Sequence, residues 1–187
     1  MEKVESNTHI ATLTAWRAQG LDAEWVQEVV RGAGEPKAHT AKELLMFLCE
    51  GSPAMRLVFQ EILDGKLLEP PYLGKYNHWQ KLIVAEANPP PGWYMEMVLR
   101  CALLDARMMH SALSNHARSS LVDLFNDPQS SLKILILLLD VSAVGLNLHV
   151  CCDRMVATAL AKSYAQQAQA MGRIDRVRIS LVPKYFM

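Results

Sequence analysis

The sequence lacks an excess of charge of either sign, a long apolar run and a paired-cysteine motif, and each absence argues against a class of protein. Nineteen basic residues balance nineteen acidic ones, so no overall basic character indicates nucleic-acid binding, although a local basic surface is compatible with a neutral total. The apolar run Ile134–Leu139 is far shorter than the about 20 residues that span a membrane. Since the first residues are polar and contain no apolar run, we expect a soluble, intracellular protein without a secretory signal.

A metal site also has little support in the sequence. The four cysteines, Cys49, Cys101, Cys151 and Cys152, form no CxxC pair, and adjacent cysteines do not easily ligate one zinc ion. The six histidines are scattered without ligand spacing. The sequence therefore predicts reduced, mostly buried thiols and no zinc or other metal site.

The first part of the chain has the pattern of helices. Residues 1–50 are predicted to be a helical N-terminal extension, in which "TAKE" at Thr40 is a capping box that begins a helix. A further helix is predicted to begin at Ser52, because Pro53 suits the first helical position. Residues 66–80 are rich in proline, glycine, tyrosine and asparagine, which indicates a loop.

Beyond that loop, short apolar stretches alternate with helical patterns. "KLIVAEA", "ARMMHSAL", "LKILILLL" and "RMVATA" are predicted strands, and the third of these is uniformly apolar, as a strand buried on both faces is. Strands that alternate with helices predict an α/β fold in which a parallel sheet is flanked by helices on both sides.

One segment with potential binding residues follows the uniformly apolar strand. Ser142, Gly145 and Asn147 lie in "DVSAVGLNL", and ligands of such sheets gather outside the carboxyl ends of the strands. Gly145 would let the backbone approach a ligand closely, and Ser142 and Asn147 offer hydrogen-bond donors. The alternative is an ordinary turn in which Ser and Asn cap the next helix.

A second segment, "QAMGRIDRV", carries two arginines three positions apart. Arg173 and Arg176 fall on one face of a predicted helix, and their planar guanidinium groups suit bidentate contacts with phosphate oxygens. The alternative is a pair of solvated charges, or ion pairs with Asp153 or Asp175.

Taken together, the two segments resemble motifs V and VI of superfamily-two helicases, particularly the Swi/Snf-like DNA-translocating ATPases. The similarity extends over Gly51 to Val177, through "GSPAMRLVFQEIL", "KLIVAEANPP" and "MMHSALSNHARSSLVDLFND" in the family's order. The resemblance identifies residues 51–187 as a RecA-like C-terminal helicase lobe of the fungal Swi/Snf type, with an abbreviated end. Arg178 and Ile179 stand where the family usually has Gly-Gln.

The resemblance implies the following roles. Arg176 would be the arginine finger and Arg173 a second catalytic phosphate contact, because phosphoryl transfer requires cations where negative charge accumulates. Ser142 and Asn147 would contact the backbone of double-stranded DNA. Residues that face the nucleotide would be Gln169, Gly172, Arg173, Arg176 and Gly145. The resemblance also implies a nuclear location and a role in chromatin remodelling.

The sequence contains neither a G-x-x-x-x-G-K-[ST] phosphate loop nor a D-E-x-H box. In the family these belong to a first RecA-like lobe, so ATP with Mg²⁺ is expected to bind only in a complex with such a lobe. Two functions remain open: half of a DNA-dependent ATPase, or an inactive relic that acts as a nucleic-acid or protein interaction module. A third reading is an unrelated nucleotide-binding α/β domain whose motifs match by chance.

Overall fold

In the part of the chain that the structure describes, helices come first and an alternation of strands and helices follows. The computed structural model describes residues 15, 18–19, 40–65, 67–68, 81–140, 146–148, 152, 154–165 and 168. In these ranges the elements are α1 (Ala41–Glu50), α2 (Pro53–Asp64), β1 (Leu82–Glu86), α3 (Pro89–Cys101), β2 (Ala106–Met109), α4 (Asn115–Asn126), β3 (Ile134–Leu138) and β4 (Met155–Ala157).

The four strands form one parallel sheet in the order β2-β3-β1-β4. In its central pairing, Val84 of β1 lies opposite Ile136 of β3 on one side and Val156 of β4 on the other. Since β1 to β2 and β2 to β3 run in opposite directions across the sheet, right-handed crossovers put α3 and α4 on opposite faces. The predicted α/β class, a parallel sheet flanked by helices, is confirmed.

The core is built on the two central strands. Every residue of β1 and β3 is buried, which explains why β3 is uniformly apolar: both of its faces are covered. Helix α3 packs against β2 and β3, and α2 packs against β1. Gly92 of α3 is buried, and a Cβ at this position would lie 3.1 Å from Sδ of Met108. The glycine thus allows α3 to approach β2 closely.

Helix α1 packs against α2 and α3. Its Leu48 side chain is buried in the core, and the Tyr94 hydroxyl of α3 donates a hydrogen bond to the Leu48 carbonyl. Burial, together with the nearby Cys49 thiol, raises the pKa of Tyr94 to about 12. The hydroxyl therefore keeps its proton and remains a donor at neutral pH. Through this bond and the burial of Leu48, residues 41–50 pack with the sheet domain.

The helix beginnings follow the sequence signals. Thr40 and Glu43 form the predicted capping box, with both hydrogen bonds at 3.2 Å. Ser52 Oγ accepts from the Met55 amide at 3.3 Å, and Ser114 Oγ accepts from the Ala117 amide at 3.2 Å. Each cap satisfies an amide that has no partner within its helix. In the described parts of the chain, no helix has both the length and the hydropathy to span a membrane.

Helix α3 ends in a Schellman motif that has leucine where glycine is usual. The Leu104 amide donates to the Leu99 carbonyl and the Leu103 amide to the Arg100 carbonyl, both at 3.0 Å. Leu103 occupies the left-handed position with φ of 61°, and its side chain is 94% exposed. The leucine therefore has backbone strain and little packing to offset it.

We expect Leu103→Gly to stabilise the chain by about 0.5–1 kcal/mol. The left-handed conformation costs a side-chain-bearing residue roughly 1–2 kcal/mol, whereas the extra freedom of an unfolded glycine costs about 0.5–1 kcal/mol. The measurement is the urea unfolding midpoint. Ala102→Gly is the matched control, because Ala102 has φ of −78° and should lose stability. A lower midpoint for Leu103→Gly than for the parent would contradict the strain assignment.

The amino edge of the sheet carries an ionic cluster around Asp105. Ser131 Oγ donates to Asp105 Oδ2 at 2.7 Å, and Arg107 Nε donates to Oδ1 at 3.1 Å. Burial acts to raise the pKa of Asp105, but these hydrogen bonds and the charges of Arg107 and Arg100 outweigh it, so the pKa lies below its usual value. Folding thus favours the ionised carboxylate.

Because folding lowers the pKa of Asp105, the free energy of unfolding decreases at acid pH. The contribution of Asp105 is fully present above its unfolded pKa of about 3.9 and is lost as the pH falls through the lower folded pKa. Ser131→Ala removes one stabilising donor, so the pKa of Asp105 should rise. A carboxyl NMR titration of both proteins measures this directly, and identical Asp105 titrations would refute the role of Ser131.

Candidate functional site

The carboxyl edge of the sheet is the candidate site, because ligands of parallel sheets bind where adjacent strands send their connections to opposite faces. Here β1 and β3 are neighbours, and the strand order takes the chain from β1 to β2 and from β3 to β4 in opposite directions across the sheet. Residues that follow the four strand ends line this edge. They are Ala87 and Asn88 after β1, His110 after β2, Asp140 after β3 and Thr158 after β4.

Glu86, the last residue of β1, connects several parts of this edge. Its side chain is almost completely buried, and Oε1 accepts hydrogen bonds from the amides of Ala87 at 2.8 Å and Asn88 at 3.2 Å. Its backbone carbonyl accepts from the Leu139 amide at 2.9 Å, just beyond β3. Glu86 therefore joins the end of β1 to the start of α3 and to the end of β3.

Thr158 connects β4 to the same residue. Its hydroxyl lies 2.8 Å from Glu86 Oε2 and 3.1 Å from the Ala85 carbonyl, and its amide donates to that carbonyl at 3.0 Å. The hydroxyl has one proton to donate, and the carboxylate is the nearer and stronger acceptor. The ends of β1 and β4 are thus joined by a side-chain bond in addition to the backbone ladder.

The N-terminus of α3 faces this edge without amide donors in its first turn. Asn88 is the N-cap, and the next three positions are Pro89, Pro90 and Pro91, which have no N–H group. The first amide inside the helix, that of Gly92, donates to the Asn88 carbonyl at 3.4 Å. A helix N-terminus ordinarily binds anions through its free amides, so this one is not built to bind phosphate.

A more exposed ion pair crosses the edge beyond β3 and β4. Lys162 Nζ lies 3.1 Å from Asp140 Oδ2, and the two side chains are 72% and 56% exposed. Ion pairs at this exposure contribute about 0–1 kcal/mol. The pair therefore links the residues after β3 to the segment after β4 and stabilises that arrangement only weakly.

Of the predicted site residues, the structure describes Asn147. This residue is exposed, and its carbonyl accepts a hydrogen bond from Asn126 Nδ2 at 2.7 Å. Asn126 ends α4, whose end is anchored at the amino edge: Lys81, directly before β1, donates to the Phe125 and Asp127 carbonyls at 2.6 Å. The backbone at Asn147 is therefore attached to the C-terminal end of α4.

The other predicted site residues lie outside the described residues, and their assignments stay predictions. They are Ser142, Gly145, Gln169, Gly172, Arg173 and Arg176. The described residues contain no group of three or more His, Cys, Asp or Glu side chains that could hold a metal ion.

Sequence reasoning missed Glu86 and Thr158, which organise the described part of the edge. A signal for Glu86 was present: a carboxylate that ends the apolar run "LIVA" and precedes "ANPPP" is placed to accept amides at a strand-to-helix turn. Thr158 carried no such signal, because its partner lies on a strand far away in sequence.

Comparison with known proteins agrees with the fold. Residues 83–178 match the family model described as "Helicase conserved C-terminal domain". In all, 44 chains of solved structures match. One, described as "Crystal structure of the C-terminal part of Fun30 ATPase domain", has a TM-score of 0.55 and 17% sequence identity over 88% of this chain and 56% of that chain. This chain therefore spans little more than half of that structure. No curated protein sequence matches.

Proposed function

The chain belongs to the helicase conserved C-terminal domain family, and on that premise we propose that it is the second lobe of a Swi/Snf-like, DNA-dependent ATPase. The observation that supports the proposal is the carboxyl edge between β1 and β3, because ligands of parallel sheets bind at such an edge. In the sequence, "DVSAVGLNL" begins at Asp140, shortly after β3, and "QAMGRIDRV" follows β4.

In the proposed chemistry, the positive charges of two arginines stabilise the negative charge of the terminal phosphates of ATP. Arg173 and Arg176 stabilise the negative oxygens of the terminal phosphates, with Arg176 as the arginine finger, and Gln169, Gly172 and Gly145 line the nucleotide. Ser142 and Asn147 contact the backbone of double-stranded DNA, which positions the strand without reading its sequence.

We propose that an ATP–Mg²⁺ site forms only when a first lobe completes it, because the described residues supply no metal site and no phosphate donors at the start of α3. They hold no cluster of metal ligands, and the three prolines at the start of α3 remove donors that could bind phosphate. The phosphate-loop lysine and the Mg²⁺ ligands would come from a first RecA-like lobe. With both lobes together, bound ATP–Mg²⁺ supplies the phosphoryl group that is transferred to water. A nuclear location and a fungal-type subgroup are part of the same proposal.

A second candidate function is an inactive lobe that acts as a nucleic-acid or protein interaction module. The departure from the family pattern after motif VI favours it, since Arg178 and Ile179 replace the usual Gly-Gln. Both functions require the same fold, so activity has to distinguish them.

A two-lobe fusion tests the proposal. A Swi/Snf-like first lobe with its phosphate loop and D-E-x-H box is fused ahead of this chain, and ATP turnover is measured with and without double-stranded DNA. We expect DNA-stimulated turnover that falls as salt rises, because backbone contacts release counterions. The first lobe alone is the control. A folded fusion that binds DNA but turns over no faster than the first lobe would support the interaction module instead.

A further inference from the structure

We propose that Glu86 and Thr158 are positioning residues: their hydrogen bond fixes the segment after β4 and thereby sets where Arg173 and Arg176 lie. The role of the arginines rests on the proposed function, whereas the hydrogen bond between Thr158 and Glu86 is among the described contacts. Thr158 is the first residue after β4, and the chain from there leads to the helical residues 164–165 and 168, which precede both arginines.

This hydrogen bond can hold the segment after β4 in place because the Glu86 side chain is buried and already oriented. Glu86 is 3% exposed, and two amides hold its Oε1 atom, so Oε2 faces Thr158 in a fixed direction. Hydrogen bonds to ionised groups are roughly twice as strong as neutral ones, and burial strengthens them further. The pair of Asp140 and Lys162 is also charged, but both side chains are more than half exposed, so it lacks the burial.

The same contacts indicate that the carboxyl end of β1 positions the neighbouring segments and does not bind an anion. Both amides before α3 donate to Glu86, and the three prolines contribute none. A buried carboxylate beside this turn would also repel phosphate oxygens. The β1 end therefore has no donor set for an anion, and its polar groups are directed at its neighbours β3, α3 and β4.

Thr158→Val tests the bond, since it removes the hydroxyl and keeps the branched shape. Ser131→Ala is the matched control: it removes a hydroxyl-to-carboxylate bond of similar length, 2.7 Å against 2.8 Å, at the opposite edge of the sheet. Thr158→Ser keeps the hydroxyl and should restore parental behaviour.

The first readout is amide hydrogen exchange in the 187-residue chain and does not depend on activity. Thr158→Val should speed exchange at residues 159–168 and leave the central residues of β1 and β3 protected, whereas Ser131→Ala should leave residues 159–168 unchanged. Unchanged exchange after Thr158 in the valine variant would overturn the proposal.

The second readout is ATP turnover in the two-lobe fusion. A displaced arginine finger lowers kcat while the KM for ATP stays nearly constant, and small misplacements cost up to about 100-fold. We expect about a tenfold lower kcat for Thr158→Val and parental values for Ser131→Ala and Thr158→Ser. Equal losses in Thr158→Val and Ser131→Ala would mean general destabilisation and would overturn the proposal. An inactive parent with faster exchange in Thr158→Val would refute the proposed function and support the positioning of the segment.

Discussion

Arg176→Ala is expected to lower DNA-stimulated ATP turnover of the two-lobe fusion by about 10³-fold or more, the range measured for arginine fingers. The guanidinium would neutralise charge on the transferred phosphoryl group. Arg176→Lys should lose most of the turnover as well, because an ammonium keeps the charge but lacks the planar fork. The measurement is steady-state turnover at saturating ATP and DNA.

Two controls separate chemistry from folding in that experiment. Arg178→Ala removes the same charge two positions further on and should leave turnover close to that of the parent. The unfolding midpoint of the 187-residue chain should barely change in Arg176→Ala, since exposed charges contribute about 0–1 kcal/mol. Parental turnover in Arg176→Ala would refute the arginine-finger assignment. A parallel loss in Arg173→Ala is expected from its phosphate contact.

The 187-residue chain by itself is expected to show no ATP hydrolysis above background, with or without DNA. It lacks the phosphate-loop lysine and the Mg²⁺ carboxylate, and the loss of one preorganised charged or polar contact typically costs about 10²–10³-fold in rate. Phosphate release by the purified chain is the measurement. A preparation of the Arg173→Ala, Arg176→Ala double variant controls for a co-purifying ATPase, since contaminant activity would persist in it. DNA-stimulated hydrolysis by the parent that is absent from the double variant would contradict the expectation.

The sequence predicted the fold well where local patterns and burial agree. The uniform apolarity of β3 predicted a strand covered on both faces, and Thr40 and Ser52 marked helix starts that the structure contains. These signals are readable because capping is local and because a central strand has no solvent-facing side.

The candidate site was predicted less completely, since its contacts join residues distant in sequence. Glu86 and Thr158 meet only because β1 and β4 are adjacent, and that adjacency follows from strand order rather than from either segment. The attachment of the Asn147 backbone to Asn126 is also tertiary. Leu103 is a different case: its left-handed backbone contradicts the preference of leucine, so the sequence favoured no such turn.

The strand order has a consequence for how the chain acquires its fold during synthesis. Of the described strands, β1 is translated first, yet it pairs with β3 and β4 and not with β2, the next described strand along the chain. Until β3 and β4 have emerged from the ribosome, both edges of β1 lack their partner strands, a condition that slows folding and promotes aggregation. Helix α2, which is made earlier and packs against β1, can cover one face of β1. The last described strand to be made, β4, adds the Thr158 hydroxyl to the carboxyl edge, so this part of the edge is completed late in synthesis.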